Sequence, residues 1–203
     1  MIYWNDVDTI QKLKETLNRG EIVLASGDTV LGLWGNVTQE SFEKMNQIKQ
    51  RNDQPYLITI ASASRLLKFI DQPLNEKLQT LIETCWPGPV TLVFKARKDL
   101  PSWMISDQGT IALRVPDHDG LLKLMQYFDG LFSTSANVSG QSVINCIDQI
   151  DVSIITQVGV VCSDREQQCY SKSPSTILDC STGDIQVLRS GAFSVEKLQD
   201  LLT

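Results

Sequence analysis

Cations and hydroxyls placed close to turn residues are the chemically pointed part of this sequence. Lys49 and Arg51 stand two apart at the end of a helical pattern. On a regular helix such a pair does not share a face, but at a fraying end both can enter a cleft; the alternative is that they complement the helix dipole. Arg114 sits inside the apolar run 111–115. A guanidinium buried in a strand needs an anion, supplied either by a carboxylate of the chain or by a ligand. The stretch Leu131-Phe-Ser-Thr-Ser-Ala-Asn-Val-Ser-Gly140 ends a short apolar run in four hydroxyls, an amide and a glycine. It reads as a strand delivering a hydroxyl-rich loop to the edge of a sheet, where O–H and N–H groups meet phosphate or carboxylate oxygens, or else as a capped turn. Ser173-Pro-Ser-Thr176 and Arg189-Ser-Gly191 are smaller groups of the same kind, and Trp86-Pro-Gly-Pro89 is a rigid turn before a strand.

The common signatures of several chemistries are missing, which weakens a serine-hydrolase reading. There is no G-x-x-x-x-G-K-[ST] phosphate loop, no G-x-G-x-x-G fingerprint and no G-x-S-x-G elbow. The single histidine, His118, stands in Pro-Asp-His-Asp and reads as a turn or helix start rather than the partner of Ser133 or Ser135 in a triad. One histidine also argues against zinc. The five cysteines, Cys85, Cys146, Cys162, Cys169 and Cys180, contain no C-x-x-C pair and read as reduced, mostly structural thiols of a cytoplasmic protein. No apolar run approaches the roughly 20 residues that span a bilayer, and the N-terminus has no secretory pattern, so no membrane association is expected. The net charge of −6 argues against tight non-specific nucleic-acid binding but allows a local basic pocket for a small anion.

The elements that must position these groups alternate. Helical spacing joins Val7, Ile10, Leu13 and Leu17, with Gly20 as a stop; Thr38 caps a helix carrying Phe42, Met45 and Ile48; Leu74, Leu78, Leu81 and Ile82 share a third; residues 118–128 form a fourth; and Ser194 caps a last one with Leu198, Leu201 and Leu202. Strands are expected at 22–25, 56–60, 90–94, 111–115, 158–162, 176–179 and 185–188, and a short helix from Ser62 or Ser64 to Ile70. With 203 residues and no linker or repeat, the chain reads as one domain over 1–203, an α/β fold with an open, twisted mixed sheet and flanking helices. The segments 97–109, 141–157 and 164–175 are the loop or lid candidates.

Seven collinear pieces resemble the YrdC (TsaC) family of threonylcarbamoyl-AMP synthases in its short single-domain form. They are Gly27-Asp-Thr-Val-Leu-Gly-Leu33, Lys49-Gln-Arg51, Trp86-Pro-Gly-Pro-Val-Thr91, Leu113-Arg-Val-Pro-Asp-His118, Ser133-Thr-Ser-Ala-Asn-Val-Ser-Gly140, Pro174-Ser-Thr176 and Leu188-Arg-Ser-Gly191. The resemblance implies a YrdC-like fold with a large concave, electropositive pocket. It implies synthesis of threonylcarbamoyl-adenylate from L-threonine, bicarbonate and ATP with release of pyrophosphate; Mg²⁺ bridging the phosphates is expected on general grounds for such transfer. The product would pass to a separate tRNA threonylcarbamoyl transferase complex, with at most a weak contact to tRNA by this chain.

Carried over by position, the resemblance makes Lys49 and Arg51 the catalytic cations that hold ATP phosphates. It adds Gln54, Thr110, Ser135, Asn137, Val143 and Arg189 on the nucleotide side, Asn137 bracing its loop. On the threonine side it implies Gly27, Thr29, Thr59, Arg114, Ser133 and Ser175, with Arg114 on the carboxylate. Asp28 and Asp117 are the carboxylates near the motifs that could hold the metal. Two positions depart from the family pattern. The family usually reads Pro-Thr-(Asp/Glu)-Thr where this chain has Ser26-Gly-Asp-Thr29, so a substrate-contacting threonine is Gly27 here. A histidine frequent beyond the arginine is Thr59, after Gln54-Pro-Tyr-Leu57. The competing readings are a non-catalytic RNA-binding module on the same fold, and a paralogue that adenylates another amine.

Overall fold

Period-two alternation sorts the strand side chains onto two faces, and the helices cover those faces unequally. The computed structural model describes residues 1–51, 54–165 and 173–198. In chain order the elements are β1 (Ile2–Tyr3), α1 (Thr9–Asn18), β2 (Val23–Ala25), β3 (Gly32–Asn36), α2 (Gln39–Lys49), β4 (Leu57–Thr59), α3 (Glu76–Cys85), β5 (Val90–Lys95), β6 (Thr110–Arg114), α4 (Asp119–Met125), β7 (Leu131–Ser135), α5 (Val152–Ile155), β8 (Val160–Ser163), β9 (Thr176–Asp179) and β10 (Gln186–Arg189). The ten described strands form one mixed sheet in the order β1-β8-β2-β3-β7-β4-β6-β5-β9-β10. Its central strand pairs, β3–β7 and β7–β4, are antiparallel, while β4–β6 and β5–β9 are parallel.

One face carries Leu24, Leu33, Ile58, Leu92, Phe94, Leu113, Phe132 and Leu178. It is covered by α2, through Phe42, Met45 and Ile48, and by α3, through Leu78, Leu81 and Ile82. Phe132 is fully buried there, with the rings of Phe42, Tyr56 and Trp103 within 5.8–6.0 Å. The opposite face is covered only at one side, where Val23, Ala25, Trp34 and Leu131 meet Leu13 and Leu17 of α1 and Leu121, Leu124 and Met125 of α4. The rest of that face, over β7, β4, β6, β5 and β9, carries hydroxyls and Arg114 instead of a helix stripe.

Local chemistry sets the element ends. Thr38 caps α2 by accepting from the Ser41 N–H at 3.2 Å, and Asn75 caps α3 from the Leu78 N–H at 2.9 Å. His118 caps α4, its Nδ1 accepting from the Leu121 N–H at 3.2 Å, so the histidine is the helix start that its sequence context indicates. Gly20 turns the chain after α1 at φ +71°.

Four expectations are corrected. The hydroxyl-rich stretch is not at the sheet edge: β7 is central, and Ser133, Thr134 and Ser135 belong to the strand itself. The strand β3 went unforeseen because glycines interrupt its apolar pattern. Val7 lies outside α1 and is almost fully exposed. Cys146 is disulfide-bonded rather than reduced, whereas Cys85, Cys162 and Cys180 are buried free thiols that burial pushes up to about 12. Of the irregular segments, 97–109 contains a 3₁₀ turn at Ser102–Met104, and 141–157 contains one at Ile147–Gln149 followed by α5. The segment 164–175 lies mostly outside the described residues, as do Cys169, Leu201 and Leu202. Ser194 precedes a 3₁₀ turn, Val195–Leu198.

Phe132→Ala removes a ring from the face packed by α2 without touching the open face. It should cost roughly 3–5 kcal/mol of folding free energy, read as a lower denaturant midpoint with an unchanged slope.

Candidate active site

The uncovered face holds a pocket of about 320 Å³, at the lower end of the range for small-molecule sites. Strand alternation builds it: Ser133 and Ser135 from β7, Ala112 and Arg114 from β6, Thr91 from β5 and Ile177 from β9. Arg51, Arg114 and Arg189 line it, and no carboxylate does among the described residues. In a chain of net charge −6 the pocket therefore has the opposite sign to the molecule around it.

Arg114 is 4% exposed and is held from three directions. Its Nε donates to the Gly88 carbonyl at 2.9 Å, its NH1 to the Thr29 hydroxyl at 3.1 Å and its NH2 to Asp28 Oδ2 at 2.5 Å. Burial lowers its pKa and Asp28 works against that, so both alternatives left open by the sequence hold together: a chain carboxylate pairs the guanidinium, and the guanidinium still lines the pocket. Asp28 Oδ2 also accepts from the Asp117 N–H at 3.0 Å, tying the loop after β2 to the end of β6.

Lys49 and Arg51 part company at the end of α2. Gln50 takes a left-handed conformation, φ 49° and ψ 47°, which turns the chain between them. Arg51 lines the pocket, its NH2 donating to Gln54 Oε1 at 3.0 Å and its guanidinium lying 4.9 Å over the Tyr56 ring. Lys49 is buried behind the loop after β7. Its Nζ donates to the Ser135 carbonyl at 2.7 Å, to the Asn137 carbonyl, and to Asn137 Oδ1 at 3.4 Å. Its own carbonyl accepts from the Ser139 N–H at 3.0 Å. Burial, and then the charge of Arg51, pull its ammonium down to about 8.

Arg189, at the end of β10, donates from Nε and NH2 to the Ser175 carbonyl at 3.1 and 2.8 Å and reaches the Ser175 hydroxyl at 3.3 Å. That hydroxyl shares a 2.8 Å hydrogen bond with Thr91. Burial and the positive charge of Arg114 both lower the pKa of Arg189, an electrostatic cost that an anion between the two guanidiniums would remove.

Of the residues singled out from the sequence, the pocket brings together Thr29, Arg51, Arg114 and Ser133 with Ser135, Val143, Ser175 and Arg189. Others stand outside its lining. Asn137 is in the β7 loop, its side-chain amide donating to the Val138 and Gln141 carbonyls. Gln54 holds Arg51 from an exposed position. Thr59 is fully buried and donates to the Leu131 carbonyl at 3.1 Å. Thr110 shares the pocket face of β6 with Ala112 and Arg114 but lies at the strand's far end, bonded to Ser106. Gly27 is buried against Leu121 and Trp34. Among the described residues no three His, Cys, Asp or Glu side chains gather as a metal site, and Asp28 is engaged by Arg114. Sequence reasoning missed Gly32, Trp34 and Thr91 as pocket residues. The signal for Trp34 was a bulky aromatic between two glycines, Gly32-Leu-Trp-Gly35.

The sequence model of the Sua5/YciO/YrdC family, described as telomere recombination, matches residues 15–191. The chain is 33% identical over 187 residues to a threonylcarbamoyl-AMP synthase of Pseudoalteromonas translucida, covering 89% of this chain and 98% of that one. It is 32% identical over 189 residues to one of Vibrio cholerae, covering 91% and 98%. Among solved structures, P. abyssi Sua5 complexed with L-threonine superposes with a TM-score of 0.88 at 23% identity, over 99% of this chain and 59% of that one, so the chain spans about six-tenths of that Sua5. E. coli YciO superposes with a TM-score of 0.82 at 19% identity over 96% of both chains. The two structures share the fold.

The placement of Lys49 makes stability depend on pH in a definite sense. The folded chain releases the Lys49 proton near 8, whereas an unfolded lysine holds it to about 10.4. Between those values the unfolded state binds more protons, so stability rises with pH through the window. Wild type should gain on Lys49→Met between pH 8 and 10, read as the difference of their urea midpoints; a constant difference would place the ammonium in water.

Proposed function

Because the chain belongs to the Sua5/YciO/YrdC family, we propose that it is a threonylcarbamoyl-AMP synthase, making threonylcarbamoyl-adenylate for tRNA modification from L-threonine, bicarbonate and ATP. The observation that carries the reading is the lining itself: three arginines, several hydroxyls and no carboxylate among the described residues, a surface for anions. All three substrates bring anionic groups to it: the carboxylate of threonine, bicarbonate itself and the triphosphate of ATP.

Arg114 takes the threonine carboxylate. Its planar fork suits a carboxylate bidentately, and the three partners already holding it fix the fork before substrate arrives. Ser133 and Ser175 add hydroxyls to the same lining. The threonine amine condenses with bicarbonate to a carbamate, losing water. A carbamate oxygen then attacks the α-phosphorus of ATP, and the bond to the β-phosphate oxygen breaks to release pyrophosphate. Arg51 and Arg189 neutralise the phosphate charge that grows on the leaving group, and Ser135 offers a hydroxyl in the same lining. Lys49 serves this step from behind, holding the Ser135–Asn137 backbone in position. No covalent nucleophile is required; positioning and charge neutralisation lower the barrier. Mg²⁺ would add charge neutralisation at the triphosphate; Asp117, and Asp28 beside its pairing with Arg114, are the carboxylates of the site motifs that would help to hold it. The adenylate then passes to a separate transferase complex that acts on tRNA.

Pyrophosphate release should require ATP, bicarbonate and L-threonine together. Arg114→Lys keeps the charge beside Asp28 but loses the fork. It should weaken threonine binding by roughly tenfold or more, the value of one charged hydrogen bond, and leave ATP affinity unchanged. Release that ignores threonine, or equal threonine binding by the variant, would refute the assignment.

A further inference from the structure

The loop after β2 has no side chain at position 27, and an indole borders the space. A Cβ on Gly27 would lie 3.6 Å from Trp34 Cζ2 and 3.2 Å from Leu121 Cδ1. A Cβ on Gly32 would lie 2.9 Å from Trp34 Nε1 and 3.1 Å from Cε2. Gly32 thus leaves room for the ring, and Gly27 borders it at van der Waals distance. That ring is 4% exposed, yet it lines the pocket. Its Nε1 is 3.5 Å from the Ala25 carbonyl, a long contact, so packing rather than hydrogen bonding sets its orientation.

Trp34 is the cross-strand partner of Ser133, and side chains directly opposite each other share a face. Ser133 Oγ has no hydrogen-bond partner among the described residues, whereas the Thr29 hydroxyl is taken by Arg114. In the pocket that Arg114 also lines, therefore, an apolar ring and an available hydroxyl stand side by side. A side chain carrying one methyl and one hydroxyl on its β-carbon matches both, methyl on indole and hydroxyl on Ser133.

We propose that Trp34 is a specificity-determining residue, reading the β-methyl of the amino acid and taking over the selection that the side chain missing at Gly27 cannot make. This rests on the synthase reading and adds to it the means of selection. A methyl in an apolar seat is worth roughly tenfold in selectivity or more, while such a seat rejects or rewards an added hydroxyl only weakly unless a partner waits for it. Threonine should therefore bind best, valine should follow, and serine should trail threonine by about tenfold.

The experiment is calorimetric titration of the full chain with L-threonine, L-valine and L-serine, beside ATP. Trp34→Phe keeps an aromatic core residue but withdraws the outer part of the ring. It should bring the threonine-to-serine ratio down by roughly tenfold and leave ATP affinity unaltered. Gly32→Ala is the second variant, because its Cβ drives the indole out of place; it should lower the same ratio and decides the matter if Trp34→Phe does not fold. A ratio unchanged in the folded variants, with threonine still bound, overturns the role of Trp34 alone. A wild-type chain that binds none of the three amino acids overturns the synthase reading and this inference with it.

Discussion

A buried positive charge has to be answered, and the answer at Arg114 ties together three separate stretches of chain. The guanidinium belongs to β6, Asp28 and Thr29 to the loop after β2, and Gly88 to the turn before β5. Removing any one leaves a desolvated charge or an open donor, which is far more costly than losing a surface contact. The loop and the turn are therefore where they are because the arginine is where it is. The same arrangement gives the pocket a cation that is rigid before any ligand arrives, so little ordering entropy remains to be lost on binding.

The second constraint is the uneven cover of the sheet. Helices α2 and α3 close one face across the central strands, while α1 and α4 reach only β2 and β3 and their neighbours on the other. An exposed sheet face cannot stay apolar in water, and here it carries Ser133, Ser135, Thr91 and three arginines. Opposite sign to the rest of the molecule draws anions to this face and keeps polyanions from adhering elsewhere. The arginines also repel one another: after burial, the charge of Arg114 helps to lower the pKa of Arg189.

Much of this was readable from residue order, and the failures are instructive. The periodic segments were legible wherever apolar spacing was regular: α2, α3, β5, β6 and β9 lie where the pattern puts them. β3 was not, because Gly32 and Gly35 break the alternation, and only the sheet explains them: they make room for a tryptophan and for the Ile22 side chain. The need of Arg114 for an anion was legible from burial alone, but its partner was not, since Asp28 is 86 positions away and reads equally well as a metal ligand. Lys49 and Arg51 looked equivalent in sequence. One left-handed residue between them sends the first into the protein and the second into the pocket, a difference that no periodicity records.

The separation of faces along each strand has a consequence for how such a site changes over evolutionary time. Residues 91, 112, 133 and 177 meet the ligand space, while their immediate neighbours Leu92, Leu113, Phe132 and Leu178 are fully buried on the opposite face. Mutation can explore new chemistry at the first set while the second preserves the fold, because successive side chains point to opposite sides. The region around Gly27, Gly32 and Trp34 is the exception, since there wall and packing are the same atoms. Change at that corner must proceed by paired exchanges of volume, since a side chain gained on one side has to be matched by space given up on the other.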